Sequence, residues 1–273
     1  MVWRRSLGAG IRGSIRFVFR GGGYHAAALT YYSILASFPA GALAYGLLGL
    51  VGAESVINDA VDALERRDVE SQFIDALRDT LSSAVNQRTD EATIAVLISV
   101  AAAIYLASRW VRGVARGLDA MLDRGHAGSG LRFLGQLRDT FALVLLFVGA
   151  LLLLFVGAGL ANELFGEALS VLWGVGVYVL AAVLGAGAYA YIYWFVPSPP
   201  RPAPDALLAG AIVGMLIWML ATVGFRIFVD LWPGYDTNYG VFATLIVAVI
   251  WLWLTNVSVL LGGAFAAEWS RSM

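Results

Sequence analysis

The chain has 273 residues, 60% of them hydrophobic and 14% charged, with a formal net charge of -1 and a mean hydropathy of +0.77. Soluble domains carry about 25% charged residues, so this is the composition of a membrane protein, and a net charge so close to zero is no pointer to nucleic acid. The chain has no cysteine, which excludes disulfides, thiolate catalysis and Cys-based metal sites.

Residues 1–23 place Arg4, Arg5, Arg12, Arg16 and Arg20 beside Leu7, Ile11, Ile15 and Val18 at helical spacing. The pattern predicts a basic amphipathic helix on the anionic cytoplasmic face of a bilayer. Its apolar continuation is far longer than the ~7–15 residues of a signal-peptide core, so the segment is expected to stay in the mature protein. Uncharged runs then cover Ala26–Ala53, Ala92–Ser108, Thr140–Asn162, Ala168–Pro200, Ala206–Phe225 and Thr237–Ala267. An α-helix needs about 20 apolar residues to cross a bilayer, and the runs lack the alternation of barrel strands. They predict six transmembrane helices, the fourth ending near Val196 at PSPPRPAP.

An even number of spans puts both termini on one side, and arginine placement decides which. With the N-terminus inside, the inner segments hold the five arginines of 1–23, then Arg109, Arg112, Arg116, Arg124, Arg132 and Arg138, then Arg201 and Arg271. The outer loops hold Arg66, Arg67, Arg78 and Arg88, all within an acid-rich first loop, and Arg226 lies near an outer helix end. The expected orientation is N-in, C-in, in the cell (inner or plasma) membrane. Residues 54–90 carry two short amphipathic patterns, Val56–Leu64 and Phe73–Leu81, and are expected to form an acidic extracytoplasmic helical cap. Residues 109–139 set Trp110, Val111, Val114, Leu118, Met121 and Leu122 against Arg112, Arg116, Asp119 and Asp123. This predicts a cytoplasmic interfacial helix followed by a Gly-rich turn at 125–130. The whole chain is read as one integral, all-α membrane domain.

Three blocks carry a resemblance. Residues 28–39 read ALTYYSILASFP. Val196-Pro197 is followed by Asp205-Ala-Leu-Leu-Ala-Gly-Ala. The closing block runs Tyr239-Gly-Val-Phe-Ala, Trp251-Leu-Trp-Leu and Leu260-Leu-Gly-Gly-Ala-Phe-Ala-Ala-Glu-Trp269. In order and spacing they resemble the YihY/BrkB family of inner-membrane proteins over nearly the whole chain. The first acid of the family's closing motif falls on Ala264 and the second on Glu268; the stretch Leu118-Asp119-Ala-Met fits more loosely. The resemblance implies six helices with cytoplasmic termini. The family carries an old ribonuclease label held to be mistaken, and for function the resemblance implies a link to serum resistance and a role in envelope lipid movement.

The residues point to no reaction. Gly8-Ala-Gly10-Ile-Arg-Gly13 matches GxGxxG without the βαβ unit a dinucleotide site needs. His25 and His126 cannot supply the three or four ligands of a zinc site. Asp119 and Asp123, the one carboxylate pair available for a ribonuclease, read as a salt-bridged i,i+4 face with Arg112 and Arg116. No catalytic residue, cofactor or metal is expected, and the chain is not read as an enzyme.

Polar groups at membrane depth are costly unless paired, which singles out Asn256 with Thr255 in the sixth span. Their expected partners are Tyr31, Tyr32 or Ser33 in the first. Pro39 removes a helical hydrogen bond and predicts a kink there. Arg226 and Asp230, at i,i+4, are expected to pair. Glu268 is expected at the cytoplasmic boundary with Arg109 or Arg112. Tyr239 and Gly240 enter through the closing block. Two functions follow: an envelope protein that binds or moves lipid or another amphiphile, passively or with a partner, or a non-transporting envelope scaffold that takes a protein partner through residues 54–90.

Overall fold

Proline and glycine set several of the helix ends. The structure is a computed structural model and describes residues 2–50, 90–124, 135–146, 176, 179–180, 182–231 and 241–272. The basic N-terminal pattern forms helix α1 (Val2–Phe19). It stops at Gly21, whose φ of 69° is the left-handed conformation that glycine adopts without a Cβ penalty. The Gly21 amide donates to Val18 O at 3.1 Å. Helix α2 (Gly22–Leu50) follows at once and runs through Pro39.

Helix α3 (Asp90–Met121) is continuous. Residues 109–121, expected as a separate interfacial helix, are its last turns. Their apolar stripe is core: Val111, Val114, Leu118 and Met121 are all buried. The reason is tertiary, because the stripe faces neighbouring helices at glycines. A Cβ on Gly113 would meet Leu29 at 2.8 Å and one on Gly117 would meet Leu260 at 2.7 Å. α3 ends on a left-handed residue, Asp123, with φ 55°, and Arg124 N donates back to Asp119 O at 2.8 Å.

After α4 (135–146) comes α5 (Ala182–Phe195), apolar throughout. It ends where expected, since Pro197, Pro199 and Pro200 disfavour further helix. Helix α6 (Pro204–Asp230) has Pro204 at its first position and Asp205 in its first turn, both suited to a helix N-terminus. Helix α7 (Val241–Arg271) is the long closing helix. Every described element is helical, with no strand among the described residues.

Pro204–Val229 and Leu245–Arg271 are long and apolar enough to cross a membrane. On α6 the exposed residues Leu208, Ile212, Leu216, Leu220, Val223 and Ile227 recur at helical spacing as one apolar face. Parts of the expected spans Thr140–Asn162 and Ala168–Pro200 lie outside the described residues, as do nearly all of the expected 54–90 cap and the 125–130 turn.

The chain forms two units, one of Met1–Leu29, Trp110–Gly224 and Trp253–Met273, the other of Thr30–Arg109 and Phe225–Leu252. In the first unit the second half of α7 is the axis. Helix association in a bilayer gains little from hydrophobic transfer, so close backbone packing and hydrogen bonds must supply it. α1 closes on α7 at Gly13, where a Cβ would stand 3.2 Å from the Phe265 backbone. α6 closes on it at Gly210, where a Cβ would stand 2.8 Å from Gly262 O. Ala264, where the family motif places its first acid, is fully buried, and its backbone carbon would lie 3.4 Å from the same Gly13 Cβ.

Candidate functional site

The last turns of α7 carry a carboxylate that α1 supplies with cations. Glu268 is 7% exposed. Its Oε2 accepts from Arg12 Nε at 3.1 Å and its Oε1 from Arg16 Nε at 2.7 Å. Arg16 Nη2 donates to Oε1 as well, and Arg271 Nη1 lies 3.4 Å away. Arg109 and Arg112 were the expected partners; α1 displaces that expectation because Gly13 lets it lie directly on α7.

Asp123 is the second anion of this cluster. It pairs with Arg16 at 2.8 Å and Arg271 at 2.5 Å, and also with Arg20. The left-handed backbone at Asp123, a conformation Asp tolerates better than most residues, belongs to the turn that ends α3. Arg16 joins both anions and also donates to Met121 O at 3.2 Å. Burial disfavours its charge, but the hydrogen bonds to Asp123 and Glu268 outweigh this and raise its pKa. The i,i+4 face expected between Asp119, Asp123, Arg112 and Arg116 gives way to these longer-range partners.

Asp119 is buried at 1% exposure. Its Oδ1 accepts from Ser198 N at 2.7 Å and its Oδ2 from Ser198 Oγ at 2.5 Å. Arg124 Nη1 donates to Ser198 O at 2.6 Å. Burial lowers the Arg124 pKa, partly offset by the Asp119 charge. The proline turn after α5 is thereby tied to the end of α3.

The polar centre of α7 is also satisfied by protein. Asn256 Oδ1 accepts from Trp110 Nε1 and Thr255 Oγ1 from Trp218 Nε1, each at 3.1 Å. Ser258 Oγ donates to Thr255 O at 2.6 Å and accepts from Tyr189 Oη at 2.5 Å, and Tyr193 Oη donates to Val259 O at 2.8 Å. The indoles of α3 and α6 are thus partners of Asn256 and Thr255 that the sequence reading did not name. The sequence held one signal for this seam, Tyr189 and Tyr193 at i,i+4 in an otherwise apolar span. Nothing in the sequence marked Ser198.

In the second unit, Tyr32 Oη accepts from Arg109 Nη2 at 3.3 Å, and that guanidinium stands 5.5 Å over the Tyr32 ring and 5.8 Å over Tyr105. Tyr31 packs edge-on to Tyr32, centroids 5.5 Å apart. Arg226 is exposed near the end of α6. Tyr239, Gly240 and the side chain of Asp230 lie outside the described residues, so the expected Arg226–Asp230 pair does too. Among the described residues no three His, Cys, Asp or Glu could hold a metal ion.

A buried seam of interhelical hydrogen bonds, long apolar helices and an ionic cluster at their end define an all-helical membrane protein. A family model described as Virulence factor BrkB matches residues 15–273, and the chain belongs to that family. It is 26% identical over 94% of its length to a UPF0761 membrane protein of Pseudomonas aeruginosa, of which it covers 61%. It is also 26% identical, over 80% of its length, to the inner membrane protein YhjD of Escherichia coli, covering 66% of that protein. A UPF0761 membrane protein of Ralstonia nicotianae is 36% identical over 35% of the chain, 22% of that relative. The chain therefore spans about three fifths of the length of its Pseudomonas relatives. No solved structure matches it.

Proposed function

We propose that the chain is a six-span protein of the cell membrane, with both termini cytoplasmic, that binds lipid or another amphiphile on its flank and moves it passively or with a partner. The observation that carries this reading is the mounting of α1. Ile11, Ile15, Val18 and Phe19 are exposed, Phe19 at 84%, while Arg12 and Arg16 are fixed to Glu268. An apolar face held outward at the end of an apolar helix suits the boundary between headgroups and acyl chains. The centre of α7 is closed by Trp110, Trp218, Tyr189 and Tyr193, so a polar headgroup is better placed on the outer surface than along that seam. The test is exchange of headgroup-labelled phospholipid in vesicles with and without the reconstituted protein. A rate raised by protein is expected; a rate unchanged by protein overturns the reading and leaves the scaffold reading in its place.

A further inference from the structure

Where α5 ends, two arginines share one aromatic ring. Arg138 Cζ stands 5.2 Å and Arg201 Cζ 5.7 Å from the Phe195 centroid. Arg201 lies 5.1 Å over Trp194 as well, and the Tyr191 ring is 4.7 Å from Phe195. Both arginines are exposed. Arg138 is held along one edge: Asp139 Oδ1 accepts from its Nε at 3.0 Å and Nη2 at 2.7 Å, and from Tyr191 Oη at 3.0 Å. Asp139 itself is buried. Arg201 sits between Pro200 and Pro202, which restrict its backbone. Two guanidiniums to one buried carboxylate leave excess positive charge on an aromatic floor.

The face of α5 below these cations is apolar and open. Val183 on α5 and Val179 just before it are exposed at 60% and 59%, Gly187 continues their spacing, and a Cβ added at Gly187 would meet nothing within 4 Å. Tyr191 and Phe195 follow at four-residue steps, so the series winds around the helix toward the two cations. Guanidiniums suit phosphate oxygens through paired N–H donors, and an exposed apolar stripe beside them suits an acyl chain. Free phosphate would use the first feature and leave the second idle.

We propose that Arg138 and Arg201 bind the phosphate of an anionic phospholipid, with one acyl chain along Val179, Val183 and Gly187. The site rests on the lipid reading above and specifies its headgroup class. The arginines hold the head at the helix end, Trp194 and Phe195 flank the glycerol region, and the glycine notch admits the chain.

The test uses the full chain in detergent, titrated with phosphatidylglycerol and with phosphatidylcholine of the same chain length. Charge attraction near a membrane surface predicts a preference for phosphatidylglycerol of roughly tenfold or more from two arginines. Arg201→Gln, which removes no described hydrogen bond to a carboxylate, should cut the preference severalfold, and Arg138→Lys should lower it less. Arg116→Gln, an exposed change elsewhere on α3, should leave it intact. Gly187→Leu should weaken binding of both lipids while sparing the preference. No preference in the parent chain, or one that survives Arg201→Gln, overturns the site. Displacement of the lipid by millimolar inorganic phosphate would make it a free-phosphate site and overturn the lipid assignment. Vesicle exchange without headgroup preference would sink this site and leave the general reading standing; preference without exchange would do the reverse.

Discussion

Both oxygens of the Asp119 carboxylate are taken by a single residue, Ser198, through its amide and its hydroxyl. This joins the end of α3 to the proline turn after α5. Removing the acceptor leaves two buried donors unsatisfied, at about 1–3 kcal/mol each before relaxation. Asp119→Ala should lower thermal stability in detergent by several degrees. Asp119→Asn, which keeps one acceptor, should cost less, and Ser198→Ala should fall between. Melting temperatures equal to the parent's in all three variants would show that the clamp contributes nothing.

Glu268→Gln removes the charge that anchors α1. The Arg16 side chain is only 11% exposed, and breaking a buried ion pair costs about 3–5 kcal/mol when no partner remains. Asp123 remains here, so the expected loss is smaller, about 1–3 kcal/mol. The local consequence is release of α1. Limited trypsin digestion should cut at Arg12 or Arg16 faster in the variant than in the parent, and Glu268→Asp should restore part of the protection. Unchanged cleavage would mean that the packing at Gly13 alone holds the helix.

Gly262→Ala forces a Cβ into the Tyr193 hydroxyl and to within 2.8 Å of Gly210 O. Overpacking of this kind costs about 1–3 kcal/mol. Tyr193→Phe removes the clashing oxygen along with its hydrogen bond to Val259 O, so the double variant should lose less than the two single changes together. Additivity in that cycle would place the clash entirely on the α6 backbone.

Asn256→Leu tests whether the polar centre of α7 is structural. Intramembrane hydrogen bonds average about 0.6 kcal/mol, with a maximum near 1.7, and Asn256 accepts from Trp110. The variant should lose up to that amount of stability while lipid exchange per folded protein stays within about twofold. Exchange abolished in a folded variant would mean that the seam opens to lipid.

The helical class was readable because backbone in hydrocarbon has few options, though the break expected near residue 109 is absent from the continuous α3. From Val241 on, the closing run lies in α7, which continues to Arg271, and the stop at Val196 fell where proline forbids continuation. The partners were less legible. Asp119 and Asp123 have arginines at helical spacing, yet local i,i+4 pairs offer only ~0.2–0.5 kcal/mol and lose to a buried amide and to the cations of α1. The partners of Glu268 were hidden for a related reason. An amphipathic, arginine-rich helix looks destined for headgroups, and only the lack of a side chain at Gly13 shows that it can lie on protein. Asn256 and Thr255 were visible as polar residues in need of a donor, but nothing in the sequence singled out the indoles of Trp110 and Trp218 that reach them from two other helices.

The anchoring of α1 also has a timing. Arg16 and Glu268 are 252 residues apart, and at 5–20 residues per second roughly 10–50 s of translation separate them. The other anion of the cluster, Asp123, is made well before Glu268, so Arg16 and Arg20 have an acid at the end of α3 during most of that interval. The contact with Glu268 then completes an attachment that Asp123 begins.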